Sequence, residues 1–239
     1  MSIDHSDAVL VWDLETVPDA SSYALAFGVE NWTADQAREA MGNTFPKLPY
    51  HKIICIGALI AVRNTVGWQL KSIGAPHIGQ RSEKDLIKTF VDRIEDLRPK
   101  LVTFNGASFD LPVLRYRAMI YGLAAPGLAR RPYFNRYTDD ATDLCDVLAS
   151  FDARSKASLN ELSRILGFPG KPDDISGSSV EEYFKRGEIQ KIADYCESDV
   201  TNTYRVWLRY ELFRGALTPE AYVQSEASLS NFLSLRNRS

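Results

Sequence analysis

Cysteine, histidine and excess positive charge are all scarce in this 239-residue chain, and each shortage narrows what it can do. The three cysteines, Cys55, Cys145 and Cys196, stand far apart with no CxxC spacing. That argues against a zinc or disulfide framework and for a reducing, cytoplasmic setting. No apolar run reaches the roughly 18 residues that would suggest a membrane span. The opening MSIDHSDAVLVWD lacks a basic segment followed by an apolar stretch and a small-residue cleavage site, so secretion is not expected. Net charge is −3 and the pI about 5.7. Proteins that neutralise many phosphates are usually basic. The acidic balance therefore weighs against a long DNA footprint. It weighs less against an enzyme that grips a few nucleotides at an end with its own carboxylates masked by metal ions.

What is present is a full-sized core. Hydrophobic residues make up 45% of the chain and charged residues 25%, with no repeat, low-complexity tract or linker. One α/β domain over 1–239 is expected, its core at about 8–213 and a C-terminal helical extension at 214–239. AVLVW (8–12) reads as a buried central strand. Residues 19–50 are mixed, with a helix around Thr33–Met41. IICIGALIAV (53–62) is a second strand, and 66–73 pairs with it as a hairpin through 63–65. Ser82 opens a helix that ends before Pro99, LVTF (101–104) is another strand, and Asp110 caps a helix carrying Pro112 in its first turn. Residues 122–137 read as a long loop and 142–150 as a strand-to-helix passage with Asp143 as cap. Capping boxes start helices at Ser158 and Ser179. The best helix runs from 188 to 213, and a last one follows Thr218-Pro219-Glu220. Early strands, late helices and a hairpin before the first long helix predict a mixed sheet flanked by helices.

Three carboxylate motifs stand out. Asp13-Leu14-Glu15 ends the first strand, where residues i and i+2 share a face, so both carboxylates project together. Asn105-Gly106-Ala107-Ser108-Phe109-Asp110 joins a strand to a helix, a place where small residues permit close approach. Tyr195 and Asp199 lie four apart on the long helix and address one point. Each motif alone has a bland explanation: a polar strand end, a helix cap, a surface acid beside a half-buried aromatic.

Taken together and in this order, the motifs resemble those of the DEDD exonuclease superfamily, which has the ribonuclease H-like fold, and Tyr195 marks the tyrosine (DEDDy) branch. The sister branch has a histidine five residues before the last aspartate. That position is Asp194 here, and the only histidines are His5, His51 and His77. The chain looks most like the stand-alone predicted exonucleases related to the proofreading domain of family B DNA polymerases, over about residues 8–213.

The resemblance implies a 3′-5′ exonuclease that uses two divalent ions, Mg²⁺ or Mn²⁺, held by Asp13, Glu15, Asp110 and Asp199. Asp13 would bridge both ions, Glu15 and Asp199 would serve the ion that activates water, and Asp110 the second. Tyr195 would aim the water. Leu14, Asn105 and Phe109 would meet the terminal nucleotide, although Phe109 equally suits a core. The partner implied is a nucleic acid 3′ end, single-stranded DNA favoured. A ribonuclease D-like exoribonuclease and a catalytically idle nucleic-acid-binding module are the alternatives. No membrane is implied, and protein partners are left open by the sequence. Arg130, Arg131, Arg136, Lys156 and Ser158 suit either phosphate contact or a solvated loop.

Four carboxylates crowded together raise one another's pKa, and a cation relieves them. Mg²⁺ or Mn²⁺ is therefore expected to raise the thermal midpoint and EDTA to reverse the rise, as read by differential scanning fluorimetry. An unchanged midpoint would count against a shared site.

Overall fold

Alternation along the first strand decides what packs on each side of the sheet. The computed structural model describes residues 7–170 and 177–236; His5 lies outside them. The five strands are β1 (Ala8–Pro18), β2 (His51–Asn64), β3 (Gly67–Gly74), β4 (Lys100–Thr103) and β5 (Ala141–Asp143), in the order β3-β2-β1-β4-β5. β2 runs antiparallel to β1 and β3, whereas β4 and β5 are parallel to β1. This is the mixed sheet that a ribonuclease H-like chain is expected to form.

The even residues Leu10, Trp12 and Leu14 join one buried cluster, with side chains of α3 (Glu83–Leu97) and α4 (Asp110–Ile120). The odd residues Val9 and Val11 join a second, built on α7 (Leu159–Ile165), α9 (Ile189–Phe213) and α10 (Pro219–Arg236). The remaining helices are short: α1 (Ala20–Ala26), α2 (Ala34–Ala40), α5 (Pro126–Arg130), α6 (Leu144–Leu148) and α8 (Val180–Lys185). None of the described helices is long and apolar enough to cross a membrane.

Edge strand β3 would present bare N–H groups, an invitation to unwanted pairing. The last helix prevents this. Trp68 N–H donates to Ser225 Oγ (2.8 Å) and Leu70 N–H to Ser228 Oγ (3.0 Å). The 214–236 segment thus finishes the sheet, and Leu229 is completely buried beneath it.

Several local expectations change. Asp110 is the first residue of α4, not its cap, and its side chain reaches another strand. Ser179 is helical in φ and ψ and makes no capping bond, so of the two expected boxes the one at Ser158 forms and that at Ser179 does not. The β2–β3 turn is Thr65-Val66, because Asn64 already pairs with Gly67. Residues 122–137 include helix α5, started by Pro126 where a missing N–H costs nothing. Helix α1 was not legible: it is short, and Asp19 starts it by accepting from Ser22 N–H.

A buried ion cluster ties residues 19–50 to the core. Arg117, only 3% exposed, donates to both oxygens of Glu83 (2.7 and 2.6 Å) and to Asp19 Oδ2 (2.5 Å). Glu83 also accepts from Ile53 N–H (2.8 Å) and from the Tyr121 hydroxyl (2.7 Å). Removing one partner of a buried pair leaves a charge stranded, at about 3–5 kcal/mol. Arg117→Ala is expected to lose that much in urea unfolding and to open the 19–50 segment to protease. A loss under about 1 kcal/mol would mean that water reaches the two acids.

Candidate active site

The odd face of β1 continues past the core. Val9 and Val11 pack under α9, so Asp13 and Glu15 emerge on the same side, toward that helix. One turn of α9 separates Tyr195 from Asp199, and both are turned inward, 3% and 6% exposed. The Tyr195 hydroxyl donates to Asp199, and the charges of Asp199, Glu15 and Asp13 all reach it. Burial above all, and then those three charges, push the phenol well above its ordinary pKa. It keeps its proton at neutral pH and acts as a donor.

Close approach of α9 is permitted by a glycine. Gly57 pairs across from Asp13, and a Cβ there would lie 2.7 Å from Cys196 Sγ and 2.8 Å from Val200 Cγ2. Cys196 in turn sits behind the first motif, its thiol 3.7 Å from the Asp13 carbonyl and 3.8 Å from Asp13 Oδ2. Beyond Asp13 the β1–β2 register slips by one residue between Glu15 and Thr16.

Asp110 comes from the opposite layer. Its Oδ1 accepts from Leu14 N–H at 2.9 Å, which fixes the helix start over the middle of Asp13-Leu14-Glu15. Burial chiefly, with the charge of Asp143 added, pushes its carboxyl up to about 7 against the lowering effect of the Leu14 and Asp110 N–H groups. A divalent cation beside it would favour the ionised form.

Asp13, Leu14, Glu15, Asn105, Phe109, Asp110, Tyr195 and Asp199 all line one cleft of about 1060 Å³. Oxygens of Asp13 and Glu15 and the sulfur of Cys196 lie within 4.8 Å of one another, close enough to hold one metal ion. An oxygen-dominated donor set with additional carboxylates in the same cleft suits hard divalent cations such as Mg²⁺ or Mn²⁺.

The Asn105 turn is built for exposure. Asn105 is left-handed at φ 68, and its N–H and that of Ala107 donate to the two oxygens of Asp143, both at 2.8 Å. Asp143 also caps α6, so the residue that reads as a cap also shapes the second motif. Phe109 is half-buried, its ring 4.9 Å from His51 and 5.5 Å from the 74%-exposed ring of Phe45. His51 is a prop: it is buried, its pKa is lowered by burial, and it spans Pro46 O (3.1 Å) and the Thr16 hydroxyl (3.0 Å).

Among the cleft residues not anticipated are Phe45, Arg38 and Glu181. The last two join α2 to α8 by paired hydrogen bonds of 2.8 and 2.9 Å, a contact between residues 143 apart in sequence. Of the loop cations, Lys156 lines the cleft, Arg131 pairs with Asp140, and Arg136 lies outside the cleft.

A family described as predicted 3′-5′ exonucleases related to the exonuclease domain of PolB matches residues 43–239. The matched stretch includes Asp110, Tyr195 and Asp199. It leaves out Asp13 and Glu15, which the fold brings to the same cleft. A DNA polymerase of Archaeoglobus fulgidus is 26% identical over 132 residues, covering 52% of this chain and 17% of the polymerase. The family B DNA polymerase of the hyperthermophilic archaeon Pyrobaculum calidifontis has a similar fold. It matches with a TM-score of 0.56 at 17% identity, over 86% of this chain and 24% of the polymerase. The chain therefore spans about a sixth of the first relative and a quarter of the second.

The Arg38–Glu181 pair gives a pH signature. The Arg38 guanidinium, with Lys185 adding to it, holds the Glu181 carboxyl down at about 2 against its usual 4.5. A depressed folded pKa stabilises fully above the unfolded value and is lost as pH falls through the folded one. The difference in thermal midpoint between wild type and Glu181→Gln is thus expected to be full at neutral pH. It should shrink below pH 4.5 and vanish near 2. A constant difference would mean that the carboxylate is not what the pair depends on.

Proposed function

The chain belongs to the family of predicted 3′-5′ exonucleases related to the exonuclease domain of PolB, and from that premise we propose that it trims nucleic acid from the 3′ end, single-stranded DNA being the favoured substrate. The observation that carries this reading is the convergence of an early strand, a middle turn and a late helix on one cleft. Asp13, Glu15, Asp110 and Asp199 are the metal-binding carboxylates. When bound, a pair of divalent ions activates a water and relieves the charge on the departing 3′-oxygen.

The residues of the chain supply the rest. Tyr195, held protonated and anchored to Asp199, aims the attacking water and does not deprotonate it. Water oxygen bonds to phosphorus as the P–O3′ bond breaks. The shortened strand leaves with a 3′-hydroxyl, and the terminal unit leaves as a nucleoside 5′-monophosphate. Leu14, Asn105 and Phe109 hold that terminal unit, Phe109 by a sequence-tolerant stack. Asp110 is held by Leu14 N–H, so the residue touching the nucleotide and the carboxylate at the scissile bond move together. We propose that the whole chain, 1–239, acts as a single domain.

The test uses oligonucleotides labelled at the 3′ or the 5′ end, as matched DNA and RNA, with Mg²⁺, Mn²⁺ or EDTA. Stepwise shortening from the 3′ end is expected, DNA faster than RNA, and EDTA, Asp13→Ala or Asp199→Ala should abolish it without unfolding the protein. Tyr195→Phe should lower kcat about 10²-fold. Cleavage that persists in an Asp13→Ala/Asp199→Ala double variant would refute the assignment.

A further inference from the structure

A second cavity of about 260 Å³ lies immediately behind the Asn105–Phe109 turn. Its floor is apolar, formed by Trp12, Leu101 and Leu111. The rim is aromatic and cationic, and unlike the floor it is exposed. Phe134 is 40% exposed and Phe151 44%. The Arg136 guanidinium stands 5.3 Å from the Phe151 ring and 5.0 Å from that of Tyr137, and Arg115 lies 4.6 Å over Phe134.

Phe151 is presented at a conformational cost. It and Ser150 are successive left-handed residues, at φ 62 and 51, a region that side chains disfavour. The turn is closed by Phe151 N–H donating to Asp146 O at 2.8 Å. The left-handed pair also caps the end of α6, Ser150 N–H donating to Val147 O at 3.3 Å, and it leaves the Phe151 ring with an exposed face beside an arginine.

The cavity adjoins the carboxylate cleft. Ser108 lines both. Lys156 of the cleft pairs with Asp146 of the cavity (2.7 Å) and reaches Asn105 Oδ1 (3.3 Å), so an ammonium crowns the ridge between them. Aromatic faces with arginines take nucleobases by stacking, and basic side chains along the path take the phosphates. Asp143 and Asp146 in the lining disfavour a free anion or an acidic peptide. A cavity this small admits one ring system and not a base pair.

We propose that this cavity is a second nucleobase subsite. It takes a base further along the same single strand whose 3′-terminal nucleotide occupies the cleft, and the connecting phosphate crosses at Lys156. The proposal rests on the exonuclease reading for its occupant, and its test separates the two.

Binding of a 5′-fluorescein decamer of deoxythymidine would be followed by anisotropy in Ca²⁺, so that affinity is read whether or not a bond is cut. Phe151→Ala and Arg136→Gln are each expected to raise Kd roughly 5- to 100-fold, the worth of one lost base stack, and Phe151→Tyr to restore most of it. In Mg²⁺, both weakening variants should cut the kcat/KM preference for the decamer over a thymidine dinucleotide by a similar factor. Weaker binding by the variants of a wild type that hydrolyses nothing would support the subsite while removing the exonuclease reading. Equal Kd in wild type and both variants, or an equal loss on decamer and dinucleotide, would overturn the subsite.

Discussion

The site depends on how near one helix can come to one pair of strands. Asp13 and Glu15 leave β1 facing α9, and their approach to Tyr195 and Asp199 is limited by what stands on β2 beside Asp13. That position is Gly57. Any Cβ there would meet Cys196 and Val200 at distances that packed atoms do not adopt. A methyl group would push α9 outward over its most buried stretch, which includes Val200, Tyr204 and Trp207. Asp199 and Tyr195 would move out with it, away from Asp13 and Glu15. The missing side chain at Gly57 is thus part of the cleft geometry, although it contributes no functional group.

The opposite wall is fixed by electrostatics. Asp110 reaches the site because Leu14 N–H, in the middle of the first motif, has no better partner at that strand end. Asp143 does the equivalent for the Asn105 turn. Both acids are buried and both have pKa values raised by that burial. Farther out, Arg117 neutralises Glu83 and Asp19 in the interior, while Arg38 and Glu181 meet at the cleft wall where water still competes. The first arrangement can fix the position of the 19–50 segment. The second is weak enough to yield to a charged ligand.

Much of this was legible in the sequence for a simple reason. Features set by the local chain, such as the apolar alternation of β1, the capping box at Ser158, and the i, i+4 spacing of Tyr195 and Asp199, carry their own signal. Periodicity fixes that Asp13 and Glu15 share one face and that Tyr195 and Asp199 share another; it was the order and combination of the three motifs, a resemblance, that singled out the carboxylates as a set. Features set by partners distant in sequence were not legible. Asp110 reads as a cap because nothing local reveals Leu14 above it, and Ser179 reads as a capping box although its backbone has turned helical. Phe45, Arg38 and Glu181 have no pattern of their own. Phe45 and Arg38 line the cleft because the Arg117 cluster and His51 hold residues 19–50 there, and Glu181 comes to it on α8, paired with Arg38.

On the proposed reading, an acidic protein cannot hold nucleic acid by neutralising many phosphates, and the distribution of its side chains is consistent with that limit. Of the cations beside the cleft, Lys156 and Arg38 are already paired with acids. Repulsion from the clustered carboxylates of the cleft would fall on whatever phosphate lies nearest. What the surface offers in compensation is aromatic: Phe45 and Phe109 within the cleft, Phe134, Phe151 and Tyr137 beyond the ridge. Stacking on such rings is insensitive to base identity and loses less to salt than a phosphate contact does. A strand held this way would be gripped by a few bases near its end, and a duplex, whose bases are already stacked on one another, would have little to offer. The single-strand preference would then follow from the same charge balance that excludes a long footprint.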